Sequence, residues 1–532
     1  MIRRVFSFAV AAAAFTAAAW TGDLYTQKYI AYGWDISKAG PEEILANADR
    51  FDALAIDGVM TSFRGHTPQG EFYSHATLFN GPKLTRELIA PQKEMVKKFA
   101  DHKSLRHNFL VCWLSPKKRI AWDDDAAWAH FAENMRVVAE AAAECGMEGF
   151  FLDNEDYMKV RQYRHLKGVD SMTFDEAVAL ARRRGREVFG NVLKEHPRAA
   201  LLGAWFFSWN DYYANIKNIR AEMRRSGDLW PAFLNGILDV LPPEAKFVEG
   251  DERGYLCFAD RRDFYTRAFQ VRQAVISLIE PENRAKYALQ GQTSFGLFLD
   301  MYTPEIKTGD YCRTFPPASD GSMLTRFMQN LEQASRVSSE YVWIYGQGYC
   351  WIDWQKTPES NVWSDKRFSS AIQSGGIWTN RIERFGEALA AEKNSQECVK
   401  PLLKKVKASG CAKELVSGDA TWIVSGKSLE RRSISVPVTP GGLYAVEISA
   451  EVKNSSLEVM AFWGVNGKRN HLEYSVFMPL SVKSGDVSAS VQEGVFSVRA
   501  PIGVDSMELR TSVWQKPDGE VKVGKISVIR IL

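Results

Sequence analysis

Between residues 28 and 392 of this 532-residue chain, short apolar runs of strand length alternate with long amphipathic stretches, eight times over. The runs are KYIAYGWDI (28–36), DALAIDGVM (52–60), HNFLVCWL (107–114), MEGFFLD (147–153), AALLGAWFFSW (199–209), KFVEGDE (246–252), SFGLFLDMY (294–302) and EYVWIYGQG (340–348). Near-continuous apolar runs suit parallel strands covered on both faces. Eight such strand–helix units predict an α/β fold, a (β/α)8 TIM barrel. A doubly wound open sheet would use the same alternation, but no glycine-rich phosphate turn follows the first run. One helical stretch, 173–195, opens on Thr173, Phe174, Asp175 and Glu176, the spacing of a capping box.

The pattern changes after residue 392. Residues 395–411 are polar and lysine-rich, a linker, and from 412 to 532 short spans alternate apolar and polar residues between turn signals. About seven strands in that length imply an all-β sandwich, jelly-roll-like. At the other end, Arg3 and Arg4 precede an apolar run over 5–19 that ends in small residues. This is the form of a secretory signal peptide over 1–21, which leaves a barrel domain over 22–394 and a secreted or periplasmic protein. The run is shorter than the roughly 20 residues of a membrane span, and no other segment approaches that length, so no membrane span is expected in the mature chain. Cys398 and Cys411 flank the lysine-rich stretch, where an oxidising compartment would permit a bridge; Cys112 and Cys145 sit in apolar runs as small hydrophobes.

Composition narrows the function. Hydrophobic residues at 45% and charged residues at 25% exclude a largely disordered chain. Lysine plus arginine (67) nearly balances aspartate plus glutamate (64), for a net charge of +3. That balance offers no electrostatic basis for a nucleic-acid or anionic-membrane partner. The eight histidines form no His-Glu-x-x-His spacing and no Gly-x-Ser-x-Gly elbow is present, so neither a metal nor a serine hydrolase is indicated. No organic cofactor is implied.

Barrel active sites lie at the C-terminal ends of the strands. The acids ending the apolar runs are Asp35, Asp57, Asp153, Glu155, Glu249, Asp251, Glu252 and Asp300, with Trp34, Trp113, Trp205, Trp209, Tyr302, Trp343 and Tyr345 at the same level. A bowl of carboxylates walled by aromatic rings suits a carbohydrate, whose C–H faces stack on indoles while carboxylates perform acid/base work. In GFFLDNEDY (149–157), period-2 alternation would put Asp153 and Glu155 on one face, with Cα atoms about 6.5–7 Å apart. Such close carboxylates cannot easily both ionise, which raises one toward a general-acid pKa; alternatively Asp153 caps the following loop and Glu155 is solvated. In FVEGDERGY (247–255), Glu249 and Asp251 share a face and Glu252 follows a turn, each with Arg253 or Arg261 as a competing ion-pair partner.

On these residues the chain resembles secreted (β/α)8 glycoside hydrolases carrying a C-terminal carbohydrate-binding-module-like β-sandwich. EGFFLDNE (148–155) resembles the fourth-strand motif of chitinase-like hydrolases, Asp-Gly-x-Asp-x-Asp-x-Glu, with Glu148 and Phe151 in place of the first two aspartates. That likeness implies Glu155 as general acid and Asp153 as the residue orienting a substrate N-acetyl group. A second resemblance, to α-galactosidase-like barrels, implies Asp153 as nucleophile and an acid of 249–252 as acid/base. The expected activity is hydrolysis of glycosidic bonds in complex glycans by Asp153, Glu155, Glu249 and Glu252. Asp35, Trp113, Trp205, Asp251, Asp300 and Tyr345 would shape the sugar subsites. The alternative is a non-catalytic, lectin-like barrel. In the last domain, Trp463, Tyr474 and Trp514 are the candidate sugar platform.

Overall fold

The computed structural model describes residues 27–210, 216, 218–261, 263–302, 315–318, 323–346, 351–352, 389–390, 393 and 407–408, and, between 414 and 530, a set of strands with a few joining residues. The signal-peptide segment 1–21, Cys398, Cys411 and Trp514 lie outside the described residues, as does the linker apart from 407–408.

Nine strands form one parallel sheet: β1 (Lys28–Gly33), β2 (Gly58–Thr61), β3 (Phe109–Trp113), β4 (Gly149–Asp153), β5 (Ala200–Gly203), β6 (Lys246–Glu249), β7 (Gly291–Thr293), β8 (Phe295–Phe298) and β9 (Tyr341–Gly346). Their lateral order is β8-β9-β1-β2-β3-β4-β5-β6-β7. The two ends of that path are consecutive in the chain, separated by Ser294 alone, whose N–H donates to Glu249 O at 2.7 Å. The sheet therefore curls into a nearly closed, TIM-barrel-like barrel; the seventh apolar run supplies β8, and β7 lies just ahead of that run. Apart from Lys28, Trp113, Lys246 and Gln292, the residues of these strands are buried, as strands covered on both faces must be.

The helical layer follows the expected punctuation. Helix Phe174–Glu195 is capped by Thr173, which accepts from Glu176 N at 3.3 Å while Glu176 accepts from Thr173 N at 2.7 Å. Helix Asp125–Glu144 is capped by Asp124, which accepts from Ala127 N at 3.0 Å. Among the described residues no helix is long and apolar enough to cross a membrane.

Inside the barrel, side chains stack in layers. The floor is ionic: Lys28 and Lys246 meet Glu340 at 2.7 and 2.6 Å, and Tyr341 donates to Glu148 Oε2 at 2.8 Å. Burial pushes the Glu148 carboxyl up, but the hydrogen bond with His107, the charge of Lys28 and the Tyr341 hydroxyl outweigh it and hold the group at about 2. Above the floor lies an aromatic layer, in which Tyr32 and Trp343 pack on Phe151 at 4.8 and 5.3 Å between ring centres. Gly296 makes room for it: a Cβ there would stand 2.6 Å from Trp343 and 2.7 Å from Tyr255.

The second apolar run is corrected. Residues 48–53 are helical and the strand starts only at Gly58, so Asp57 precedes β2 instead of ending it. Its carboxylate accepts from Tyr29 N at 2.7 Å and pairs with Lys393, at the end of the barrel away from the C-terminal rim. Cys112 is buried as expected and Cys145 is partly buried; both are free thiols.

From residue 414 the strands form a five-stranded and a four-stranded antiparallel sheet. A single apolar cluster draws on both, with Tyr444, Val446 and Ile448 from one and Val459, Trp463 and Leu509 from the other. Trp463 is fully buried and so is no sugar platform, while the side chain of Tyr474 lies outside those described.

Candidate active site

Side-chain direction alternates along a strand, and Phe151 points into the barrel, so Asp153 at the end of β4 does too. Its register partner on β3 is Trp113, which brings both to the C-terminal rim side by side. The strand stops at Asp153, and the chain turns over its side chain: Glu155 N–H donates to Asp153 Oδ1 at 2.9 Å. Asp153 thus caps the loop and also keeps Glu155 beside it. Tyr157 Oη lies 3.1 Å from Asp153 Oδ2 and is hydrogen-bonded to Glu155 Oε2 as well. The Tyr157 ring packs against Trp113 at 4.9 Å and Trp34 at 5.7 Å, yet stays 40% exposed.

Glu252 joins this pair from across the rim. It opens the 3-10 turn Glu252–Leu256 just after β6. Burial, then the charges of Glu155 and Asp153, push its carboxyl well up, opposed by the Trp205 and Tyr255 side chains next to it. Burial and the Glu155 charge likewise push Asp153 up, against the Glu155 N–H and the Tyr157 hydroxyl. Asp153 and Glu252, from two rim loops, therefore both feel the charge of Glu155, and Glu252 feels that of Asp153 as well. Tyr255 stacks on Tyr345 at 5.7 Å, and Tyr345 senses Glu252 and Asp300, so Tyr345 and the buried Asp300 stand at the same level.

Three of the expected residues are placed elsewhere. Glu249 does share a face with Asp251, but it is the face toward the helices. Phe247, two residues earlier, packs on Tyr287 of helix Pro281–Gln290, and the Glu249 carboxylate accepts from Phe207 N and Ser208 N at 3.0 and 3.2 Å. Burial first and Asp251 beside it push Glu249 up to about 7. Glu249 therefore ties the β5 exit to β6 and is not part of the rim cluster. Asp251 is held by Arg267 through two hydrogen bonds of 2.8 and 2.9 Å, a partner other than Arg253 or Arg261. Its φ of 21° is a strained value for a non-glycine residue, and the ion pair holds it there. Asp35 lies in the helical turn after β1; its Oδ2 accepts from Ile352 N at 2.9 Å, and burial pushes it up to about 6. It fastens the exits of β1 and β9 together, aided by Trp351 Nε1, which donates to Tyr32 O at 2.8 Å.

Beyond Glu155 a cleft of ≈ 520 Å³ opens between the β4 and β5 exit loops, lined among others by Asn154, Glu155, Arg161, Arg164, Trp205 and Trp209. Trp209 packs edge-on to Trp205 at 5.1 Å and is 42% exposed, while the Arg253 guanidinium lies over the Trp205 ring. Tyr157, Tyr255 and the cleft arginines were not among the expected site residues. Tyr157 and Tyr255 stand in the two acidic segments, and their spacing from Asp153 and Glu252 was the available signal.

Another acidic group, Asp49, Asp52 and His102, lies on the N-terminal side of the strands. The Asp52 oxygens accept from Ser104 N at 2.9 Å and meet His102 Nδ1 at 3.2 Å, which pins the loop before β3.

No family model matches the chain, and no curated protein matches it in sequence. Among solved structures, the exo-beta-1,4-mannosidase Op5Man5 from Opitutaceae bacterium strain TAV5 is 13% identical over 70% of this chain and 62% of its own, with a TM-score of 0.37. A GH20 catalytic module of the pneumococcal exo-beta-D-N-acetylglucosaminidase StrH is 8% identical over 73% of this chain and 91% of its own, with a TM-score of 0.35. The enzymatically active domain of bacteriophage CBA120 tailspike protein 4 is 10% identical over 22% of this chain and 18% of its own, at 0.17. This chain thus spans under two thirds of the length of the mannosidase and of the tailspike.

Proposed function

We propose that the chain is a glycoside hydrolase acting on complex glycans at the C-terminal rim of the barrel. The observation that carries this reading is the meeting of Asp153, Glu155 and Glu252 beside Trp113, Tyr157, Trp205 and Tyr345, where burial and mutual charge push two of the carboxyls up. Cleaving a glycosidic bond takes one protonated carboxyl to donate to the leaving oxygen and one ionised carboxyl to act at the sugar carbon or on water. A cluster in which not every member can ionise holds both forms at once near neutrality.

Asp153, Glu155 and Glu252 form the proposed reacting set; Glu249 drops out because its oxygens are taken up between two strand exits. Trp113 and Trp205 would contact sugar at the acids, with Tyr345 and the buried Asp300 behind them, and the cleft at Trp209 would take the next unit of a longer chain. Asp35 and Asp251 support the rim from beneath. We read residues 412–532 as a sandwich accessory module, with 22–394 as the catalytic domain, and 1–21 as a signal that exports the protein to the periplasm or beyond.

The test is turnover of a panel of oligosaccharides and aryl glycosides by wild type, Asp153→Asn and Glu252→Gln. The proposal expects product from wild type and a loss of at least 100-fold in kcat in each variant, the scale of general acid–base catalysis (about 10²–10⁴-fold). Retention of glycans by wild type without any product would replace it with the non-catalytic, lectin-like reading.

A further inference from the structure

Tyr157 sits where neither general acid nor nucleophile is expected, yet its hydroxyl touches both acids of the β4 exit. A phenol has one proton to give and lone pairs to accept with. Between two ionised carboxylates it can satisfy only one. Between one carboxylate and one carboxylic acid it satisfies both, accepting from the acid and donating to the carboxylate. The ring is held for this task by Trp113 and Trp34 on its flanks. Loop closure by Glu155 N–H on Asp153 Oδ1 leaves Oδ2 as the oxygen that faces the hydroxyl.

We propose that Tyr157 is a proton relay between Asp153 and Glu155, so that the two acids share one proton through its hydroxyl. In the relay step the proton on Glu155 Oε2 passes to Tyr157 Oη as the Tyr157 proton passes to Asp153 Oδ2. One O–H bond forms and one breaks at each end, and the phenol is neutral before and after. Burial, followed by the Asp153 and Glu155 charges, pushes the Tyr157 phenol far up, so a free phenolate has no part in the transfer. The groups facing the relay from other elements are Tyr32 on β1, Glu252 and Tyr255 after β6, and Tyr345 on β9. Of these, Glu252 is the one carboxyl, and burial together with the charges of Glu155 and Asp153 pushes it up.

The relay gives the proposed hydrolase a means of exchanging acid and base roles between Asp153 and Glu155 within one turnover. That use rests on the hydrolase reading, whereas the relay itself is tested without substrate. The experiment is a pH titration of the full chain carrying 13C-carboxyl aspartate and glutamate, with resonances assigned from the Asp153→Asn, Glu155→Gln and Glu252→Gln proteins. A relay stabilises the singly protonated pair, so in Tyr157→Phe the two macroscopic midpoints of Asp153 and Glu155 close toward each other by about one to two pH units, the size of a hydrogen bond to a charged group. Wild-type spacing retained in Tyr157→Phe would overturn the proposal and leave Tyr157 a packing residue. Should Tyr157→Phe fail to fold, 3-fluorotyrosine at position 157 keeps the shape and strengthens the donor. The relay then expects the midpoints to move apart, and unchanged midpoints would overturn it. A hydrolase that fails the turnover panel but shows the midpoint shift retains the relay and loses the reaction.

Discussion

Glu249 shows how a buried carboxyl can be costly and still well placed. Its pKa rises from 4.5 to about 7 because burial disfavours the charge, even though two backbone N–H groups face it. A raised carboxyl contributes stability that is fully present below its unfolded pKa and lost as pH climbs through the folded one. Between pH 4.5 and 8 the wild type should therefore lose on the order of 3 kcal/mol relative to Glu249→Gln, which does not titrate. Urea denaturation of both proteins at pH 5 and pH 8 checks this; a gap that is the same at both values would contradict it. Glu148 shows the opposite sign: its pKa is held at about 2, so its contribution is present above 4.5 and lost on acidification. In the resemblance to chitinase-like motifs Glu148 stands where an aspartate is usual. Here it serves the floor of the barrel, with Phe151 in the aromatic layer above.

At the scale of elements, all eight apolar runs contain strands, and the helix at 174–195 begins at its capping box. Thr173→Ala should cost about 1 kcal/mol by loss of the side-chain acceptor, measured as a shift in the urea midpoint. Gly296→Ala should cost about 1–3 kcal/mol, because the new methyl meets Trp343 and Tyr255 at under 3 Å. It should also disturb Tyr255 beside Glu252, lowering turnover more than Thr173→Ala does. Sequence reading failed where an apolar run did not say which part was strand or which face looked inward. Residues 52–60 read as one mainly apolar run, yet the first two, Asp52 and Ala53, belong to a helix, and periodicity does not separate a helix end from a short buried strand. Glu249 and Asp251 do share a face, as the alternation predicts. Which face was illegible, because a strand buried on both sides carries apolar residues toward lumen and helices alike. The lumen side of β6 is revealed by Lys246, whose partner Glu340 lies 94 positions away. The loop after β4 was legible in composition, but Tyr157 was hidden because its role depends on a turn that only Asp153 capping produces.

At the scale of the whole molecule, the barrel places acids from the β4 and β6 exits together although 97 positions (252 − 155) separate Glu155 from Glu252 in the chain. The ladder of β9 with β8 on one side and β1 on the other is what sets Tyr345 against Tyr32 and Tyr255. Substrate length should matter, because the cleft at Trp209 continues from Glu155. Trp209→Ala should raise KM for oligosaccharides more than for aryl monosaccharides, by about tenfold if one stacked ring is lost, and an equal change for both would contradict a second sugar site there. The central claim is that the rim carboxyls cleave glycans. It is tested most directly by measuring released reducing sugar from wild type and Asp153→Asn across the same glycan panel. The account expects product from wild type that falls at least 100-fold in Asp153→Asn at unchanged fold. Equal turnover in the two proteins, or none in wild type on any glycan, would contradict it.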